Sequence, residues 1–315
     1  MAYSLKTRKY LLVLLIIGWG AIFIYQVFGQ LKLTRHLYHD NRLLMGTFWE
    51  VTSTDRKAGA IVFSEAGRIE GLLSKYIESS EISRLNRAGK LKVSPDTFYI
   101  IKKSKEFWQL SDGAFDITVE PIVALWGFSN REYMVPADKE IKSVLKLIGS
   151  DKIILHEKNY VVEFKLPGMK IDLGGIAKGF ALDCAVKKLK SNNINNCLIN
   201  AGGQVYALGE KFGAPWKIAI KNPREPEISG TLELKNKCAS TSGDYEQFFL
   251  KAGRRYCHII NPKTGYPADS RLTSVTVITD EGLSADALST AIFILGKKKG
   301  EKLLEKFPGS AARIF

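Results

Sequence analysis

Apolar positions along the chain fall into blocks of different period. Residues 45–53, MGTFWEVTS, alternate and predict a strand. Between 58 and 77 the spacing changes: Ile61, Val62, Ala66, Ile69, Leu72, Leu73, Tyr76 and Ile77 recur at intervals of three and four, the mark of one helical face. SSEISRLNRAG follows as a loop or short helix. Residues 97–110 predict a second helix closed by the turn SDGAFD, and residues 138–148 a third. KIILHEKNYVVEF reads as two strands about a turn at 157–159.

Beyond Met169, glycine-rich junctions separate the elements. KIDLGGIAKGFALDCAVKKLK reads as a short strand ending at Asp172, a glycine turn, and a long helix with Ala177, Ala181, Ala185, Val186 and Leu189 inward. NCLINAGGQVYALG is strand, Gly-Gly bend, strand. WKIAIKNP, GTLELKNKCASTSGDYEQFF, RYCHIINPKTG and RLTSVTVITD add strands, and LSADALSTAIFILG is a helix with Ser284 as its cap. There is no internal repeat and no low-complexity tract. Runs of antiparallel-type strands with inserted helices predict a single α+β domain rather than a doubly wound sheet.

Ahead of these blocks lies an apolar run at 10–28 in which Gln26 is the only strongly polar side chain. As a helix it spans about 28 Å, close to the roughly 30 Å hydrocarbon core of a bilayer. Lys6, Arg8 and Lys9 precede it and favour a cytoplasmic start, although Lys32 and Arg35 beyond it weaken the asymmetry. The expected organisation is a basic N-terminus at 1–9, a transmembrane signal anchor at 10–28, a tether at 29–42 and an exported domain at 43–315. A cleavable signal peptide competes, but the run is long for one and no A-x-A site follows.

Charge adds little beyond this. The chain carries 46 Lys+Arg against 32 Asp+Glu, a formal +14, and the body after residue 42 keeps about +9 of it. Such a balance suits anionic ligands, membrane surfaces or nucleic acid, and no nucleic-acid motif is present. Cys184, Cys197, Cys238 and Cys257 form no CxxC pair and sit in apolar or Lys-rich stretches, so free buried thiols are expected, with one or two disulfides as the alternative. With Cys184 the first, no lipid-bearing cysteine follows the apolar run.

Four stretches carry candidate chemistry. In SADALSTAIF, Asp286 and Thr290 stand four residues apart on one helical face, where a carboxylate and a hydroxyl can hold a hard cation such as Mg²⁺. The plainer reading is an Asp in a helix's first turn and a Thr bonded to its own backbone. DLGGIAKG places Asp172, the Gly174-Gly175 turn, Lys178 and Gly179 where backbone and a cation can meet phosphate. SDGAFDITVEPIVALWGF sets Asp116 and Glu120 among Phe115, Trp126 and Phe128, flat surfaces for a planar heterocycle or simply an aromatic core. YCHIINPKTGYPAD carries His258, either a base delivered by the Asn-Pro-x-x-Gly turn or a polar residue at a strand end.

Taken in order with MGTFWEV, SKYIESSEISRLN, LINAGGQVYALG and STSGDYEQFF, these segments resemble the ApbE family, the FAD:protein FMN transferases, from Leu44 to about Gly296. The resemblance implies a catalytic domain that uses Mg²⁺ to move the FMN half of FAD onto a Thr or Ser hydroxyl of a flavoprotein, releasing AMP. By position it makes Met45, Tyr76, Ala114, Phe115, Asp116, Asp172, Lys178 and Ile260 FAD contacts. Asp286, Thr290 and a backbone oxygen at Gly175 become metal ligands, and His258 the catalytic base. It further implies an acceptor of the Na⁺-translocating NADH:quinone oxidoreductase or Rnf type, or an extracellular flavoprotein, met on the outer face of a bacterial cytoplasmic membrane. The same residues would serve an FAD pyrophosphatase yielding FMN and AMP, and a flavin carrier without turnover is the third reading. Many relatives have Asp where Asn261 stands; if that carboxylate tunes the His, His258 is less basic here. Exported relatives are often lipoproteins, and the family usually adds a final strand or two after its last helix, so FPGSAARIF implies a missing sheet edge.

Overall fold

The structure is a computed structural model that describes residues 36–225 and 227–315. The basic start, the apolar run and the first part of the tether lie outside the described residues. Among the described residues no helix is long and apolar enough to cross a membrane.

Strands β1 (Tyr38–Leu44) and β2 (Thr47–Ser53) open the chain as a hairpin, so the sheet begins inside the stretch read as tether. In β2, Trp49, Val51 and Ser53 are buried while Phe48 and Glu50 are exposed, the alternation of a strand with one face on a core. Helices α1 (Ala58–Leu73), α2 (Glu81–Ala88) and α3 (Pro95–Leu110) follow, with β3 (Lys90–Lys92) between the last two. α1 stops four residues short of the apolar spacing. The Ser80 and Ser83 hydroxyls donate to the carbonyls of Ser74 (2.6 Å) and Lys75 (2.9 Å), oxygens that a continuing helix would have used itself. The ambiguous SSEISRLNRAG segment is helical, with the Ser80 hydroxyl accepting from the Ser83 N–H as its cap.

Next come α4 (Glu120–Leu125), α5 (Asp138–Leu145), β4 (Ile153–His156), β5 (Val161–Phe164) and α6 (Ala177–Ser191). No strand ends at Asp172: its N–H makes a single bond to the Ile117 carbonyl, 2.7 Å, outside any ladder. After α6 run β6 (Cys197–Ala201), β7 (Gln204–Leu208), β8 (Trp216–Lys221), β9 (Ile228–Leu234), β10 (Lys237–Gly243), β11 (Phe248–Lys251), β12 (Arg254–Cys257) and β13 (Ser274–Thr279). Helices α7 (Gly282–Leu295) and α8 (Lys297–Leu304) and strand β14 (Ala311–Ile314) complete the fold.

The main sheet has seven strands in the order β1-β2-β6-β7-β10-β13-β14, antiparallel throughout. β14 overturns the expected missing edge, since residues 311–314 pair with Val275 to Ile278 of β13 and close that side. Smaller sheets are β3-β5-β4, β8-β9 and β11-β12. α1, α6 and α7 bury their apolar stripes on one face of the main sheet, and the β8–β9 hairpin covers part of the other. β7, held between them, is buried along its whole length. The four cysteines are free thiols, and burial pushes Cys184 and Cys197 up to about 12.

Candidate active site

A cavity of about 550 Å³ opens where the turns and helix ends of the domain converge. Met45 comes from the β1–β2 turn, Tyr76 from the segment after α1, and Ala114, Phe115 and Asp116 from the turn after α3. Asp172, Gly175 and Lys178 come from the approach to α6, His258 and Ile260 from beyond β12, and Asp286 and Thr290 from α7. Every site residue singled out in the sequence therefore lines one cavity.

Two helices make the metal-competent corner. α6 and α7 cross so closely that a Cβ on Gly179 would stand 2.1 Å from the Gly282 carbonyl oxygen, so only glycine allows the crossing. This contact brings the Gly179 N–H to Asp286 Oδ2 at 3.1 Å, while Gln204 Nε2 donates to Asp286 Oδ1. Thr290 lies one turn further on, with its hydroxyl 3.3 Å from Ser242 Oγ. A Cβ on Gly175 would fall 3.3 Å from Thr290 Oγ1 and 3.4 Å from the Phe115 ring, which sets the Gly175 backbone beside that hydroxyl. The Asp286 carboxyl is buried, and burial raises its pKa against the pull of Lys178.

These donors fit a hard cation. They are oxygens only, one carboxylate with a hydroxyl and a backbone carbonyl, and Gln204 Oε1 is a buried acceptor with no partner. Among the described residues no three His, Cys, Asp or Glu side chains gather as a metal cluster, which argues against a zinc-type centre and for an ion that keeps water or substrate oxygens as further ligands.

The helix start in the sequence reading needs one correction. Ser284 lies inside α7, and the helix is capped from another element: Asp183 of α6 accepts from the N–H groups of Gly282 (2.6 Å) and Leu283 (2.8 Å). Burial, reinforced by Glu281 and Asp286, raises the Asp183 carboxyl to about 7.

His258 stands immediately past β12, half-buried against the cavity. Its Nδ1 lies 3.1 Å from the Gln247 carbonyl oxygen, which can only accept, so Nδ1 carries the proton and Nε2 is left as the free acceptor. Burial lowers the His258 pKa, Lys178 lowers it further, and the Gln247 carbonyl and Asp172 oppose them. Asn261 does not touch the imidazole. Its side-chain oxygen accepts from the Lys263 N–H at 3.0 Å and its carbonyl from the Gly265 N–H at 2.8 Å, so it shapes the turn.

Sequence reasoning missed the group that holds Asp172. Lys75 Nζ lies 2.9 Å from both Asp172 Oδ2 and Ser129 Oγ, and 3.8 Å from Glu120 Oε1. Burial opposes the ammonium charge, but Asp172 and Glu120 outweigh it and hold its pKa above the ordinary value. Asp116 turns out differently from the expected ligand contact: its carboxylate takes bonds from Thr118 and Ser150 (2.6 Å and 2.7 Å to their hydroxyls), so what it offers the cavity is mainly its backbone. Gln204 and Gln247 also escaped notice, although the first directly follows the conspicuous Gly202-Gly203 pair.

Comparison with known proteins decides the lineage. Residues 45–315 match the model of the ApbE family. The chain belongs to the ApbE family. The FAD:protein FMN transferase of Haemophilus influenzae is 33% identical over 268 residues, covering 81% of this chain and 78% of that protein. The Klebsiella pneumoniae enzyme of the same name is 34% identical over 271 residues, covering 84% of each chain. Among solved structures, the ApbE protein of Thermotoga maritima superposes with a TM-score of 0.83 at 36% identity, covering 89% of this chain and 94% of that one. The flavin transferase ApbE of Vibrio cholerae gives 0.80 at 28%, covering 89% and 93%. This ApbE-family chain is a transferase, and its α+β fold is the one those structures have.

Proposed function

We propose that the protein is an FAD:protein FMN transferase that moves the FMN half of FAD onto a Thr or Ser hydroxyl of a flavoprotein and releases AMP. The observation that carries this reading is that His258 and the Asp286–Thr290 pair line one cavity with the predicted FAD contacts. A threonine hydroxyl is a poor nucleophile near neutral pH. His258 Nε2, unprotonated and turned free by the Gln247 carbonyl, takes the hydroxyl proton as the oxygen attacks the FMN-side phosphorus, a contribution of about 10²–10⁴ in rate. The bridging P–O bond breaks, its electron pair leaves with AMP, and a phosphoester joins FMN to the acceptor.

Mg²⁺ held by Asp286, Thr290 and the Gly175 carbonyl would lower the negative charge of the pyrophosphate oxygens. Lys178, in the first turn of α6, supplies a fixed positive charge from the chain itself. The exposed ring of Tyr76 and the buried face of Phe115 flank the cavity as flat surfaces for the flavin or adenine rings. We assign the acceptor to membrane redox complexes of the Na⁺-pumping NADH:quinone oxidoreductase or Rnf type, or to extracellular flavoproteins. The apolar run at 10–28 would anchor the domain on the outer face of a bacterial cytoplasmic membrane.

The test mixes the full chain with FAD, Mg²⁺ and such a subunit and takes the subunit's intact mass. An added FMN that disappears in His258→Ala and on chelation supports the reading. Free FMN and AMP without a mass shift would make the protein a pyrophosphatase, and intact FAD throughout would make it a carrier.

A further inference from the structure

A second cavity, about 510 Å³, lies on the opposite face of the main sheet, between the sheet and the β8–β9 hairpin. It adjoins the catalytic cavity, for Gly202, Thr241 and Glu246 line both. The partition is the short turn after β10. Tyr245 and Glu246 face the cleft, Glu246 and Gln247 face the catalytic side, and the Gln247 carbonyl is the group that fixes His258 Nδ1. Whatever fills the cleft thus ends next to the base.

The wall made by β8 has an unusual character. Five consecutive residues, Lys217, Ile218, Ala219, Ile220 and Lys221, line the cleft. Side chains of a strand alternate between faces, so consecutive residues reach one cavity only where the strand turns its edge toward it. β8 is paired on one side only, to β9. Its other edge offers unpaired N–H and C=O groups, a template for an extended chain and of no use to a nucleotide. Leu198, Val205 and Ala239 floor the cleft with apolar surface that would receive every second side chain of such a segment.

We infer that this cleft is the docking channel for the acceptor protein. An extended segment of the acceptor adds as a strand along the free edge of β8 and passes Tyr245 and Glu246, so that its Thr or Ser hydroxyl enters the catalytic cavity beside His258. The inference rests on the transferase reading and names the surface that reading requires. Hydrolysis of FAD would leave the cleft without a purpose.

Two measurements on the full chain test it, with the acceptor flavoprotein subunit as probe. Amide hydrogen exchange followed by mass spectrometry, without FAD, is expected to slow across 217–221 when the subunit is added. Ala219→Trp fills the cleft from an exposed position. It is expected to raise the KM for the acceptor by about tenfold or more while the KM for FAD and the quenching of flavin fluorescence stay as in the parent. Exchange at 217–221 that ignores an acceptor the enzyme does flavinylate, or a parental acceptor KM in Ala219→Trp, overturns the docking channel and leaves the transferase intact. Protection at 217–221 that grows with enzyme concentration alone assigns the edge to a second copy of the chain and likewise overturns it. A parent enzyme that leaves every acceptor unmodified while cleaving FAD refutes the transferase reading, and the channel falls with it.

Discussion

Gly179 and Asp286 meet where α6 crosses α7: the Gly179 N–H donates to Asp286 Oδ2 at 3.1 Å, and a Cβ on Gly179 would stand 2.9 Å from Asp286 Cβ. The same Cβ would collide with the Gly282 carbonyl oxygen at 2.1 Å, a backbone atom that cannot rotate away. Gly179→Ala must therefore separate the helices and move the carboxylate. Overpacking of this kind costs about 1–3 kcal/mol, and backbone against backbone belongs at the upper end. The expected result is a Tm lowered by several degrees, together with a larger loss of Mg²⁺-dependent FAD turnover than a surface Gly→Ala change gives. A melting curve superimposable on the parent's would show that the crossing has slack.

The acid limb of the pH profile should report His258. Burial holds its pKa below 6.5, so kcat/KM rises with pH as the imidazole loses its proton and levels off already below that value. The same shift fixes the sign for stability. A histidine buried neutral contributes fully above its unfolded pKa, and that contribution is lost as pH falls through the interval down to the lowered folded value. Because the Asn261 side chain is engaged with the Lys263 N–H rather than with the imidazole, Asn261→Asp should move the limb by less than about half a pH unit. An upward shift larger than that would show that a carboxylate there does tune the base.

Asp183 should make stability fall with pH in a range where most carboxylates no longer matter. Its folded pKa is raised from 3.8 to about 7, mainly by burial, so the folded state favours the protonated form. Stability from this group is complete below the unfolded pKa, declines as pH rises toward about 7 and is level beyond. Asp183→Asn removes the charge while keeping one acceptor for the start of α7. With metal chelated, the Tm of the variant relative to the parent should improve steadily between about pH 4 and about pH 7. Parallel curves would mean that the two backbone donors neutralise the charge as well as water does.

How far the sequence revealed this molecule depended on the range of the forces involved. The β2 alternation and the α1, α3 and α6 stripes come from local periodicity, and each element appears where its pattern lies. The boundaries come from distant partners. α1 stops because Ser80 and Ser83 claim its next carbonyls, α7 is capped by Asp183 from 99 residues away, and β14 forms because β13 presents an edge to it. The site shows the same division. His258, Asp286 and Lys178 sit in short, unusual segments, whereas Gln204 reaches Asp286 across 82 residues and no local pattern announces it.

Lys75 gives the clearest case of a role created by folding, and the sharpest test. It lies 2.9 Å from Asp172 and 3.8 Å from Glu120, whose Oε2 is buried without a partner. Removing the ammonium in Lys75→Met leaves two negative groups facing each other out of water, and breaking a buried pair from one side costs about 3–5 kcal/mol. Much of that cost is the stranded charge rather than the lost bond, so neutralising Asp172 as well should recover part of it. The double variant Lys75→Met/Asp172→Asn is expected to be more stable than Lys75→Met alone, with a coupling of about 1 kcal/mol or more in a denaturant cycle. Additive costs would instead assign the contribution of Lys75 to its stem and to its place over the Tyr76 ring, 5.2 Å from the centroid. FAD affinity separates the outcomes further. If the pair holds Asp172 for the ligand, Lys75→Met weakens FAD binding even at temperatures where the fold is intact, whereas a role in packing alone leaves binding unchanged.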